Sequence, residues 1–205
     1  EKLDHKSVLD WVRRYTLKVH KFINKLDYNL GDSFYADETM INRKGKLDRF
    51  WACVDWDTRL ITGVHYSLSG NPKEAKKFLE KAINKGKPKY IQTDAGVFYP
   101  KAFKRLFYSN KIGGLTVKHK INNVSKTKKH NYKIETVFSK IKDRVDDFRG
   151  LKCLWSAPIM LLGLIIQHNF IEPHTSIKKV PSELAGVNLN LGENRWLGLI
   201  RLSYA

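Results

Sequence analysis

Long apolar runs are missing from this sequence of 205 residues. The longest, Ala157 to Ile166, spans ten residues, about half of what a membrane-spanning helix needs, so it reads as a buried helix and no membrane partner is expected. Cysteine is nearly absent too. Cys53 and Cys153 lie far apart in the chain, without the paired spacing of a zinc site or a disulfide framework, and both are expected to be core thiols. No signal-peptide pattern opens the chain, which fits a reduced intracellular protein. Because it begins at Glu1 instead of Met, the expectation is that natural N-terminal residues precede it. Repeats and low-complexity tracts are also lacking. With 42% hydrophobic and 28% charged residues, the composition excludes disordered and fibrous classes. A chain of this length buries about 70% of its unfolded surface on folding.

Acidic residues are scarce. Twenty Asp and Glu stand against 38 Lys and Arg, a net charge of +18, and the pI is near 9.8. Such a balance points to a polyanionic partner, with nucleic acid first.

Val8, Trp11, Val12, Tyr15, Val19, Phe22, Ile23 and Leu26 recur at spacings of three and four, which predicts one long amphipathic helix with Ser7 as its cap. Its other face carries Arg13 and Arg14, either solvated or in contact with DNA. Strand-like runs follow at Ser33–Arg43, Phe50–Trp56 and Leu60–Leu68, and they predict an antiparallel meander. Asn71-Pro72 opens a helix that Gly86 ends. Tyr90–Thr93 reads as a short strand with Asp94 at its tip. Beyond it the pattern predicts a helix near Lys101–Tyr108 and a strand around Leu115–Val117. Helices are then expected at Tyr132–Phe148 and, capped by Ser156, at Pro158–Phe170. Leu189–Leu202 is open between strand, helix and packing arm. This order implies an α/β fold, a mixed sheet with helices packed on it.

The chemistry rests on three acids. Asp37 lies within the first strand run, on the face of Tyr35 and Thr39, and alternation sends Glu38 to the opposite face. On that reasoning Asp37 and Glu38 do not ligate one ion together. Asp94 sits at the carboxyl end of a strand, where open sheets place their sites. Glu135 stands at the margin of the apolar stripe of Ile134, Phe138, Ile141 and Val145. Taken singly, each reads as well as a turn or solvated residue. Residues 95 to 134, however, hold ten Lys or Arg and no Asp or Glu. Bare carboxylates repel a phosphate backbone, so a basic surround suits an acidic pocket that acts on DNA. Lys118, Lys120, Lys126, Lys128, Lys129, His130 and Lys142 are the candidate backbone contacts.

Ala36-Asp37-Glu38-Thr39, Val54-Asp55 with Thr58-Arg59, and Gln92-Thr93-Asp94-Ala95-Gly96 form an ordered series of motifs. It continues with Asn131-Tyr132-Lys133-Ile134-Glu135, Gln167-His168-Asn169-Phe170 with Pro173-His174, and Pro181 to Gly186. In order and spacing the series resembles the DDE transposases of microbial insertion sequences, members of the integrase and ribonuclease H-like superfamily. The resemblance implies a ribonuclease H-like mixed five-stranded sheet flanked by helices, with an N-terminal helical extension. It implies that residues 1–30 end a helix-turn-helix DNA-binding region, that 31–175 form the catalytic core and that 176–205 are a C-terminal extension. Asp37, Asp94 and Glu135 would be catalytic ligands of two Mg2+ or Mn2+ ions. The expected partners are DNA, as element ends and target, and a second copy in the DNA complex, with no small-molecule substrate and a cytoplasmic, nucleoid-associated location. The rival expectations are a nuclease of the same superfamily that does not join strands, and a catalytically inactive or domesticated DNA-binding relative. Glu183 reads as part of a helix start capped by Ser182, and His168, Asn169 and His174 as DNA contacts or packing residues.

Overall fold

A computed structural model describes residues 4–122 and 132–205. A helix, α1 (His5–Ile23), precedes a meander of β1 (Ser33–Arg43), β2 (Lys46–Asp55) and β3 (Ile61–Ser67). The first hairpin turns at Lys44 and Gly45, both at positive φ, the backbone that matches the twist of the flanking strands. The second helix, α2 (Pro72–Ala82), begins where Asn71 accepts from the amides of Lys73 and Glu74, with Pro72 in the first turn. It carries the chain across to β4 (Tyr90–Thr93), which pairs parallel with β1. Next come α3 (Tyr99–Phe107), a two-residue ribbon of β5 (Tyr108–Ser109) and β6 (Gly114–Leu115), and β7 (Lys118–Ile121). Two long helices follow, α4 (Tyr132–Asp147) and α5 (Ala157–Ile166), and α5 runs on as a π-helical turn over Gln167–Ile171. The chain finishes with α6 (Pro181–Leu184) and α7 (Arg195–Leu202).

The main sheet has five strands in the order β3-β2-β1-β4-β7. The first three are antiparallel, and β4 and β7 join in parallel. Apolar side chains on its two faces form two cores. Phe34, Ala36 and Trp51 face α2 and α3, while Tyr35, Ile41 and Phe50 face α4 and α5. Burying one such large side chain stabilises by about 1.5–3 kcal/mol. A third cluster ties Val19 and Ile23 of α1 to Phe170 and to Leu199 of α7; of the open tail segment Leu189–Leu202, the part from Arg195 is a helix, and Leu189 and Leu191 before it pack into the same cluster. No helix among the described residues is long and apolar enough to cross a membrane.

Several local expectations change. The fifth sheet strand lies at Lys118–Ile121, three residues beyond the predicted run, because Leu115 belongs to the side ribbon and the true strand is a charged sheet edge. Helix α1 starts before Ser7, with Asp4 at the cap position and no side-chain cap bond. Ser156 likewise makes no cap bond, and Val180, not Ser182, holds the cap position of α6. Cys53 is buried as expected, but Cys153 is exposed.

Candidate active site

The parallel register of β1 and β4 sets the site. Tyr35 lies opposite Gln92, so the same register carried two residues further brings Asp94 beside Asp37. The pairing stops there, leaving one side of β1 open beyond Tyr35. Into that opening turn Asp37, Glu38 and Asp94, each with a carboxylate oxygen within 4.8 Å of the others. Alternation along β1 holds for the backbone, yet a Glu38 carboxylate oxygen lies within 4.8 Å of one of Asp37, which corrects the expectation that the two could not ligate one ion together.

Hydrogen bonds fix each acid. Asp37 Oδ1 accepts from the Glu38 amide at 2.8 Å, and Asp94 Oδ1 accepts from the Gly96 amide at 2.9 Å. A methyl group at Gly96 would lie 3.0 Å from that same oxygen, so glycine lets the turn close on the carboxylate. Glu38 accepts from the buried Tyr99 hydroxyl at 2.9 Å and from the Arg49 guanidinium at 2.8 Å. Beside Asp94, Thr93 shares a 2.8 Å hydrogen bond with His119, whose ring stacks on Phe103 with centroids 3.9 Å apart.

Burial is the main force on the Asp37 carboxyl and pushes its pKa up to about 7. The Glu38 amide opposes the shift, and the charges of Asp94, Glu38 and Glu135 add to it. Glu38 is raised as well, by burial first, against the Tyr99 hydrogen bond. Such a crowd of desolvated like charges resists full ionisation. Its hard oxygen donors are those a divalent cation of the Mg2+ class takes.

Glu135 stands in the first turn of α4 and is exposed. It lies outside the 4.8 Å group, yet close enough for its charge to act on Asp37. The candidate DNA contacts divide. Lys118 and Lys120 sit on the edge strand β7 next to β4, with the Lys120 ammonium 3.2 Å from the Tyr90 ring centroid, and Lys142 is exposed on α4. Arg14 is exposed, but Arg13 turns onto the Trp155 ring at 4.4 Å and pairs with Asp10. Lys126, Lys128, Lys129 and His130 lie outside the described residues. Asn169 is a packing residue: its amide accepts from the Ile61 amide and donates to the Ile61 carbonyl, both at 2.9 Å. His168 bonds the Arg59 carbonyl at 3.0 Å, and Glu183 pairs with Arg195 at 2.8 Å. Glu38, Tyr99 and Arg49 are the site residues that the sequence reading missed. The adjacency of Glu38 to Asp37 was the one available signal.

A family model described as a DDE domain matches residues 31–174. Among solved structures the chain is similar to one in the simian T-cell lymphotropic virus intasome in complex with PP2A regulatory subunit B56 gamma, with a TM-score of 0.60 at 17% identity. That match covers 80% of this chain and 57% of the other, so the chain spans little more than half of its length. The HTLV-2 integrase catalytic core domain in complex with magnesium matches at a TM-score of 0.56 and 17% identity, over 78% of this chain and 98% of that one. The BIV integrase catalytic core domain matches at 0.50 and 12%, over 74% and 92%. At these identities the likeness is one of fold. No curated protein matches the sequence. The DDE-domain match takes in more than two thirds of the sequence and contains both strands that carry the clustered acids, and the chain belongs to the DDE transposases of the integrase and ribonuclease H-like superfamily.

Proposed function

We propose that the chain is a transposase catalytic core that cleaves DNA at the ends of a mobile element and joins the freed 3′-hydroxyl to target DNA. Asp37, Asp94 and Glu135 would hold two Mg2+ or Mn2+ ions, and no covalent enzyme intermediate would form. The observation that carries this reading is the convergence of Asp37, Glu38 and Asp94 within 4.8 Å at the end of β4, in a chain of the DDE family. When bound, paired divalent ions supply activation of the attacking oxygen and stabilisation of the leaving one. Asp37 faces both Asp94 and α4, which supports the reading that it would be the shared acid, with Asp94 and Glu135 each serving one side. Glu38 is a positioning acid, held by Tyr99 and Arg49. Lys118, Lys120 and Lys142, together with Arg14 and the basic segment 126–130, would position the phosphate backbone without reading bases.

The HTLV-2 integrase core is described with magnesium and in dimeric and trimeric forms. The same cation, and a homodimer on DNA, are proposed for this chain. Residues 1–30 would end a helix-turn-helix reader, with 31–175 as the core and 176–205 as an extension. A DNA substrate puts the protein with the nucleoid in the cytoplasm.

The test is a strand-transfer assay on matched element ends in MgCl2 or MnCl2, with Asp94→Asn as control. Joined products that vanish in the control support the proposal. Cleavage without joining reduces it to a nuclease, and salt-sensitive binding without either reaction makes the chain a DNA-binding relative.

A further inference from the structure

A cavity of about 590 Å³ opens at the far margin of the sheet from β7, a volume typical of ligand sites. Six consecutive residues of β3, Ile61 to Tyr66, line it. Among the described residues this strand pairs with β2 alone and is therefore a sheet edge, with the Ile61 end of that edge already bonded by Asn169 and the backbone from Thr62 onward left for a further strand. Helix α2 flanks the cavity from one face of the sheet and α5 from the other, and the end of α1 closes it. Gly63 sets the spacing, since a methyl group there would lie 2.6 Å from the Ala82 backbone. The last turn of α2 thus rests directly on β3, and the Lys81 ammonium comes within 3.1 Å of the His65 ring.

The two flanks differ in chemistry. On the α5 side the wall is apolar, with Leu162 and Ile165. On the α2 side Lys81 and Lys85 meet His20 of α1. The nearby acids are already engaged: Glu74 pairs with Lys77 and His65, and Glu80 with Lys76. Among the described residues, no carboxylate lies within ion-pair distance of Lys81 or Lys85, and the Lys85 ammonium faces the Tyr28 ring at 5.1 Å. Burial holds Lys85 down to about 8, and His20 is lowered by burial and then by the charges of Lys85 and Lys81. Basic groups crowded into partly desolvated space, with Glu74 acting on Lys81 only from beyond ion-pair distance, favour an incoming anion.

We propose that this cavity docks an extended peptide segment in which acidic and apolar side chains alternate, added as a further strand against β3. Successive side chains of a strand point to opposite faces. One set would meet the lysines of α2 and the other the apolar wall of α5, while main-chain hydrogen bonds to the strand edge supply affinity, as in other strand-addition complexes.

The test uses the whole chain and a labelled, end-capped hexapeptide, Asp-Val-Asp-Val-Asp-Val, read by fluorescence anisotropy. An isomer of the same composition with its acids grouped, and a short duplex DNA, serve as comparison probes. Lys81→Glu removes a cavity cation, and Lys101→Glu makes the same charge change on exposed α3. The alternating peptide should bind saturably, lose about tenfold in affinity with Lys81→Glu, as expected for one charge-assisted contact, and keep its affinity with Lys101→Glu. The grouped isomer should bind several-fold more weakly. Equal weakening by the two variants, or equal affinity for the two isomers, would overturn the proposal. So would duplex DNA that loses affinity with Lys81→Glu while the peptide does not, which would assign the cavity to a nucleic-acid backbone.

Discussion

Removing one oxygen atom tests how the acidic cluster is held. Tyr99→Phe deletes the hydroxyl that donates to Glu38 at 2.9 Å and leaves the ring contacts with Trp51 and Phe98, at 6.0 and 4.9 Å between centroids, in place. The Tyr99 pKa is raised well above its ordinary value by burial first and then by Glu38, Asp37 and Asp94, so the group stays an O–H donor across the physiological range. A hydrogen bond to a charged acceptor stabilises by about 1.5–3 kcal/mol. The Glu38 side chain is only 11% exposed, which puts this one toward the upper part of that range. The measurement is a double-mutant cycle with Glu38→Leu, which leaves the hydroxyl no acceptor at that position, by urea denaturation at pH 7.5 in EDTA. A coupling of about 2 kcal/mol is expected, with Arg49 still paired to Glu38 in the Tyr99→Phe chain. DNA cleavage by Tyr99→Phe should also fall, since Glu38 then keeps one of its two anchors. A coupling below about 0.5 kcal/mol would refute the assignment of Tyr99 as the anchor of Glu38.

Asn169→Leu should destabilise the chain by about 2–4 kcal/mol, because two backbone groups of Ile61 lose their partners at a buried position. In a chain of this size that lowers Tm by roughly 4–16 °C, and a change under 2 °C would count against the clamp. His168 sets a pH dependence. Burial holds its pKa down to about 4, against the Arg59 carbonyl, which raises it, whereas the unfolded imidazole titrates near 6.5. Between these values the unfolded chain binds more protons, so the stability is complete above about pH 6.5 and is lost as pH falls toward 4. The loss should be about 2 kcal/mol after allowance for partial exposure, with half-buried His119, also near 4, adding to it. A His168→Gln chain with an unchanged slope of stability against pH would contradict this. Finally, MgCl2 at 100 times its Kd should stabilise the wild-type chain by about 2.7 kcal/mol, a gain absent in Asp37→Asn and in Asp94→Asn when followed by calorimetry.

The sequence was most readable where a single physical pattern dominated. The meander strands announced themselves by β-branched and aromatic runs between turn residues, and Asn71-Pro72 marked α2 through capping chemistry that the structure reproduces. The strand at Lys118–Ile121 was unreadable because an edge strand keeps a charged, largely exposed surface and so lacks the apolar signal. Helix α1 misled in the other direction. Val8, Trp11 and Val12 continue its apolar stripe but remain about 40% exposed, because its packing against α5 and α7 begins only at Thr16 and Val19. The position of Asp94 followed from a strand ending in Asp-Ala-Gly. That of Glu38 did not, because alternation describes one strand in isolation and says nothing of the gap left where a neighbouring strand stops.

That gap also explains why Asp37 stands apart from the other acids. Register brings Asp94 to one side of it, since β4 runs parallel to β1 with Gln92 opposite Tyr35. The pleat turns Asp37 toward the face that α4 covers, where Ile134, Phe138 and Ile141 pack with Tyr35 and Ile41, so that Glu135, next to buried Ile134, approaches from the helix side. Glu38 follows it along the chain. Asp37 is accordingly the carboxyl on which the charges of Asp94, Glu38 and Glu135 all act, while the leading influences on Glu38 include Asp94 but not Glu135. One of these relations is set by hydrogen-bonded sheet geometry, one by adjacency in the chain and the third by helix packing. A small shift of α4 therefore changes the distance from Glu135 to Asp37 and leaves Asp37 and Asp94 where the sheet holds them.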